Sequence, residues 1–200
     1  MKPLYPEFLR SVTDAAHFPR PGAQEIAFLG RSNVGKSSLI NALLGSKQAR
    51  VSSAPGRTRA INFFALAEAP HRPPQLLFAD LPGYGYAKIS KSISAEWPKF
   101  IEPYLRDRAT LALCVCLVDA TLPPKESDAQ LFAFLEHARR SFVIVGTKAD
   151  RLSGNGRAKA LTALRAAFGR HQLLLCSAKT GAGLRELWQR IRETADAFRD

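Results

Sequence analysis

The chain has 200 residues, 46% of them apolar, with 29 lysines and arginines against 17 aspartates and glutamates, a formal charge of +12 and a pI near 10.1. Length and apolar content bound one globular domain and exclude a disordered chain, and no apolar run approaches the roughly 20 residues of a membrane span. The positive excess is what a protein facing a polyanion carries, although a solvated basic surface gives the same count.

The opening MKPLYPEFLRSVTD lacks the apolar core of a secretory signal. Cys114, Cys116 and Cys176 lie in apolar runs without metal-ligand spacing, so they read as reduced core residues. The expectation is a cytoplasmic protein with no membrane contact. It is one domain over residues 1–200, with its core about 22–196 and a short N-terminal extension at 1–21.

In chain order, EIAFLG (25–30) is the first predicted strand and Ser37 to Leu44 the first helix. INFFALA (61–67) and QLLFAD (75–80) have only the turn sequence EAPHRPP between them, which predicts a hairpin and hence one antiparallel strand. A helix follows over Ile89 to Leu105, then strand LALCVCLVD (111–119), a helix over Lys125 to Arg139, strand FVIVG (142–146), a helix over Asn155 to Phe168, strand LLLCS (173–177) and a last helix over Gly183 to Phe198. Continuous apolar strands alternating with amphipathic helices predict an α/β fold, a six-stranded, mostly parallel sheet flanked by helices on both faces. Trp188, with Leu184, Leu187 and Ile191 at helical spacing, reads as a core anchor. Glu186 and Arg190, one turn apart, read as a surface pair.

The chemistry begins at Gly30-Arg31-Ser32-Asn33-Val34-Gly35-Lys36-Ser37-Ser38, between the first strand and the first helix. Gly30 and Gly35 let successive backbone N–H groups turn inward around phosphates, and the helix adds its positive N-terminal end. Lys36 would reach the β and γ phosphates and Ser37 would hold Mg²⁺. Asp80-Leu81-Pro82-Gly83 ends the third strand, where the aspartate can reach the metal through water and the glycine N–H can meet a γ-phosphate.

Thr147-Lys148-Ala149-Asp150 and Ser177-Ala178-Lys179 follow the fifth and sixth strands, at the strand ends where open α/β sheets bind ligands. Asp150 can accept from N1–H and the 2-amino group of guanine, whereas adenine would oppose an acceptor to it. Lys148 can lie along the base plane, and the Ala178 N–H can meet O6.

GRSNVGKSSLINALL, PGRTRAINFF, DLPGYGYAK, TKAD and SAKTG together resemble the EngB (YihA/YsxC) family of small bacterial GTPases, from about Glu25 to near the C-terminus. The resemblance implies a single P-loop G domain of the Ras-like type binding GTP and GDP with Mg²⁺. It also implies a monomer, a role in ribosome assembly, mainly of the large subunit, and through it normal growth, septation and cell division. By the same resemblance Pro55, Gly56, Arg57 and Thr58 join the nucleotide site, Thr58 closing on Mg²⁺ and the γ-phosphate, so that Lys36, Thr58 and Gly83 carry the catalysis. Thr147 stands where many GTPases have asparagine.

Tyr84 occupies the place where related GTPases carry the glutamine that orients the attacking water, so weak intrinsic hydrolysis is expected. Asn33 resembles a potassium ligand in a wider group of GTPases; the alternative is that it merely fills a permissive loop position. The rings of Tyr84 and Tyr86 can stack on a base or partner or pack on the neighbouring helix. Arg57, Arg59, Lys88, Lys91 and Lys99 put positive charge where the γ-phosphate would be sensed. Ribosomal RNA and a ribosomal subunit precursor are the expected partners beside guanine nucleotide. A small-metabolite kinase would share the first motif without needing TKAD or SAK, and a non-catalytic nucleotide-dependent RNA or protein scaffold is the other alternative.

Overall fold

The computed structural model describes residues 4–49, 60–84, 99–169 and 171–198. Seven strands form one sheet: β1 (Tyr5–Val12), β2 (Gln24–Gly30), β3 (Ile61–Ala67), β4 (Leu76–Asp80), β5 (Leu111–Asp119), β6 (Phe142–Thr147) and β7 (Leu173–Leu175). Among the described residues five α-helices lie between or after them: α1 (Lys36–Leu44), α2 (Ile101–Asp107), α3 (Glu126–His137), α4 (Gly154–Phe168) and α5 (Leu184–Ala197). The strand order is β1-β3-β4-β2-β5-β6-β7. Residues 89–98 of the predicted second helix lie outside the described residues.

β4, β2, β5, β6 and β7 run parallel, and β3 is antiparallel to β4, as the short EAPHRPP connection requires. The count is seven strands rather than the predicted six, because YPEFLRSV in the N-terminal segment adds to the free edge of β3. Its side chains are mostly exposed, which is why apolar patterning gave no strand signal there. Edge pairing with INFFALA fixes it instead.

Alternate side chains of the sheet feed two cores. On one face, Ala27, Leu29, Phe63, Ala79, Cys114, Cys116 and Ile144 pack against Ile101 and Tyr104 of α2, Leu131 and Phe132 of α3, and Leu164 and Phe168 of α4. On the other, Ile26, Phe28, Phe64, Phe78, Val115, Val143 and Val145 meet Leu39, Ile40 and Leu43 of α1 and Leu187 and Ile191 of α5. Burial on both sides explains the unbroken apolar runs. Trp188 anchors α5 as expected, donating from Nε1 to the Leu43 carbonyl at 3.1 Å and lying 5.4 Å from the Phe78 ring. Glu186 meets Arg185 at 3.9 Å rather than Arg190, so the predicted pair is corrected. All three cysteines are buried free thiols, and burial pushes Cys114 and Cys176 up to about 12.

A buried carboxylate interrupts the first core at its lower end. Glu25 is fully buried and accepts from Arg108 Nε at 2.8 Å and Nη2 at 2.5 Å, Thr110 Oγ1 at 2.6 Å and Tyr104 Oη at 2.8 Å. A carboxylate so enclosed survives only because each lone pair finds a donor. It ties the start of β2 to the end of α2.

Candidate functional site

From the carboxyl end of β2 the chain passes through α1 to the β3-β4 side, whereas β5, β6 and β7 lie on the other. That end of β2 is therefore the topological switch point, where an open α/β sheet leaves a crevice. Residues 31–35 fill it. Gly35 has φ +100° and caps α1, a conformation that side chains resist, and Asn33 also takes a positive φ of 63°.

The loop is held from two sides. Tyr84 N–H donates to Gly30 O at 3.4 Å, and Ser32 N–H donates to Tyr84 O at 3.1 Å. This bridge seats Gly83 so closely that a Cβ would lie 3.0–3.2 Å from Ser32, two of those three contacts being backbone atoms. Lys36 Nζ is paired with Asp80, joining the phosphate-loop lysine to the end of β4.

From the other side, Thr147 Oγ1 lies 2.6 Å from Val34 O and 3.1 Å from Val118 O, buried among all three segments. From the position where many GTPases have asparagine, a threonine thus contacts the loop. Lys148, at φ 59°, reaches back so that Nζ donates to Asn33 O at 3.0 Å and to Asp119 Oδ2 at 2.7 Å. Burial raises the Asp119 carboxyl, but the Lys148 and Thr121 hydrogen bonds outweigh it and hold it below its ordinary value. Asp119 was not among the predicted site residues; its position at the end of an apolar strand beside the phosphate loop was the available signal.

Asp150 Oδ1 accepts from Ser177 Oγ at 2.7 Å, and this bond keeps the carboxyl below the usual aspartate range. Ser177 Oγ in turn accepts from Lys179 N–H at 3.2 Å and Thr180 N–H at 3.1 Å. Ala149 N–H donates to Cys176 O at 3.2 Å, which brings TKAD and SAK into one corner. Ala149 is buried, while Asp150 and Ala178 are partly exposed. The Ala178 N–H forms no intramolecular hydrogen bond among the described residues.

The predicted residues 30–38, 80–83, 147–150 and 177–179 therefore surround one end of the sheet, while Pro55, Gly56, Arg57 and Thr58 lie outside the described residues, as do Arg59, Tyr86, Lys88 and Lys91. Of the two roles open to Tyr84, stacking or packing, the fold takes packing. Its ring is 1% exposed and its hydroxyl donates to Asp128 Oδ1 of α3 at 2.9 Å, so it packs on the neighbouring helix. Burial, then the Asp128 charge, pushes the phenol far above its ordinary range and keeps it neutral. A ring sealed in the core cannot orient a water.

A phosphate loop at the switch point of a mostly parallel sheet, with the DxxG glycine against it and an aspartate-bearing corner beyond, defines a P-loop GTPase domain. Residues 25–148 match the family model for 50S ribosome-binding GTPases. The GTP-binding protein EngB of Acidobacterium capsulatum is 67% identical over 193 residues, covering 96% of this chain and 92% of its own. The EngB of Koribacter versatilis is 54% identical over 188 residues, 94% of this chain and 93% of that one. The crystal structure of an EngB GTP-binding protein, 22% identical, superposes with a TM-score of 0.64 over 86% of this chain and 99% of its own, which bears on the fold. The chain belongs to the EngB family of GTP-binding proteins, and its activity is GTP hydrolysis.

Proposed function

We propose that this GTPase is a nucleotide-controlled switch that engages a precursor of the large ribosomal subunit in its GTP form and leaves after hydrolysis, supporting growth and division through that step. The observation that carries the reading is the match of residues 25–148 to GTPases described as binding the 50S ribosome. The charge of +12 agrees with a partner built on RNA phosphates. Among the described residues no helix is long and apolar enough to cross a membrane.

In this reading residues 30–38 cradle the phosphates, Asp150 and the Ala178 N–H read guanine, and Lys148 braces the loop beside the base. The donors fit Mg²⁺: Ser37 offers a hydroxyl and Asp80 a carboxylate, hard oxygens both. Ser37 and Thr58 would hold it directly and Asp80 through water, and bound there it would neutralise charge on the β and γ phosphates. Lys36 and the Gly83 N–H stabilise the transferring phosphoryl group while water attacks in line. With Tyr84 buried, no side chain from that position orients the water, and turnover is slow. A potassium ion at Asn33 would add fixed positive charge; faster hydrolysis in K⁺ than in Na⁺ at equal ionic strength tests it.

Cosedimentation with large-subunit precursors tests the switch. Association is expected with a non-hydrolysable GTP analogue and weak association with GDP, falling with salt. Equal association in both states overturns it.

A further inference from the structure

At the other end of the sheet from the nucleotide lies a groove of about 860 Å³, within the size range of ligand pockets. It opens between the N-terminal segment, the start of β4 and the β3-β4 turn, roughly 20 Å down β2 from the phosphate loop at about 3.3 Å per residue. We propose that this groove, carrying Arg10 and Arg20 above an apolar floor, binds single-stranded RNA and does so whichever nucleotide is bound. The inference rests on the reading that the chain works on an RNA-containing particle and adds the place of contact.

Its charge is one-sided. Arg10, His17 and Arg20 line it, and among the described residues no acidic side chain does. Both arginines are exposed, and among the described residues neither has an ion-pair or hydrogen-bond partner. Two neighbouring charged groups have partners within the chain. Arg108 is spent on Glu25, and Asp14 Oδ1 accepts from Ala16 N–H at 3.0 Å as a cap. The two free guanidiniums are fork-shaped donors suited to phosphate oxygens.

The floor selects among polyanions. Phe18, Pro73, Pro74 and Leu9 present apolar surface between the cations. Leu9 falls where the β1-β3 register shifts between Phe8 and Arg10, and it stays 41% exposed. Bases need flat apolar surface beside phosphate contacts, which is how unpaired strands are held without reading sequence. An acidic peptide would satisfy the arginines and leave the floor wet.

The test is anisotropy of a labelled uridine oligonucleotide with the full chain and its Arg10→Gln/Arg20→Gln variant across a salt series, in GDP and in a non-hydrolysable GTP analogue. Losing two phosphate contacts should lower the salt slope by about 1.4 and weaken binding about 25-fold at about 0.1 M salt, equally in both nucleotide states. Melting temperature and GTPase rate should not change, and Arg185→Gln/Arg192→Gln on α5 should bind as the parent. The proposal is overturned if the groove variant binds like the parent, if the parent does not bind the oligonucleotide, if the α5 variant loses as much, or if polyglutamate displaces the RNA at equal charge. Particle association independent of nucleotide would sink the switch and leave the groove standing. A groove variant that binds RNA normally would do the reverse.

Discussion

Tyr84→Phe removes one oxygen from a ring that is 1% exposed and leaves Asp128, itself 4% exposed, without its 2.9 Å donor. A hydrogen bond to a buried charged group contributes about 1.5–3 kcal/mol, and stranding the acceptor costs a similar amount. For a domain of this size that is a fall in Tm of roughly 3–12 °C. Asp128→Asn should behave differently. The amide oxygen still accepts from Tyr84 while the charge is gone, and stability should stay within about 1 kcal/mol of the parent or rise. The double variant should cost less than Tyr84→Phe alone.

The sign of the pH dependence follows from the cause. Burial raises the Asp128 carboxyl above its ordinary value, against the Tyr84 bond and the charges of Arg31 and Lys125. An acid raised in the folded state destabilises the fold as pH rises from the unfolded value up to the raised one, and the full penalty remains above it. Any advantage of asparagine is therefore present at neutral pH and vanishes below the unfolded aspartate value of about 3.9. Urea unfolding of the four proteins at neutral and acid pH measures both effects. A Tyr84→Phe variant as stable as the parent at neutral pH would refute the reasoning.

Asp150→Asn should weaken GDP binding by about 10²–10⁴-fold and favour xanthine nucleotides, since two charge-assisted bonds are lost and donor and acceptor exchange places; calorimetry with GDP and XDP checks it. Because Ser177 holds the Asp150 carboxyl low, parental GDP affinity should be insensitive to this group as pH falls toward about 4, and an earlier loss assigned to it would contradict that cause. Gly83→Ala pushes a Cβ to 3.0–3.2 Å from Ser32, and the few tenths of an ångström needed to relieve it should cut single-turnover hydrolysis about 10-fold while GDP still binds. Glu25→Ala strands Arg108 at a side chain 11% exposed and should cost about 3–5 kcal/mol in urea unfolding, with the active-site loops untouched.

The sequence by itself determined the glycine-rich loop after β2, the turn after β4 and the two short motifs, TKAD and SAK, that share one corner of the sheet end. Local spacing after apolar strands carries that information, and backbone N–H groups perform much of the chemistry. It also determined the parallel core, because strands buried on both faces leave continuous apolar runs. Tertiary structure alone decided β1, whose exposed residues owe their strand to pairing with β3. It decided that Thr147 grips Val34 across 113 positions, that Lys148 shares Asp119, and that Tyr84 turns into the core toward Asp128. It also brought Arg10 and Arg20 to one groove with the prolines of a distant turn. Each depends on groups far apart in the chain finding a partner or a surface, and no local propensity encodes which partner that is.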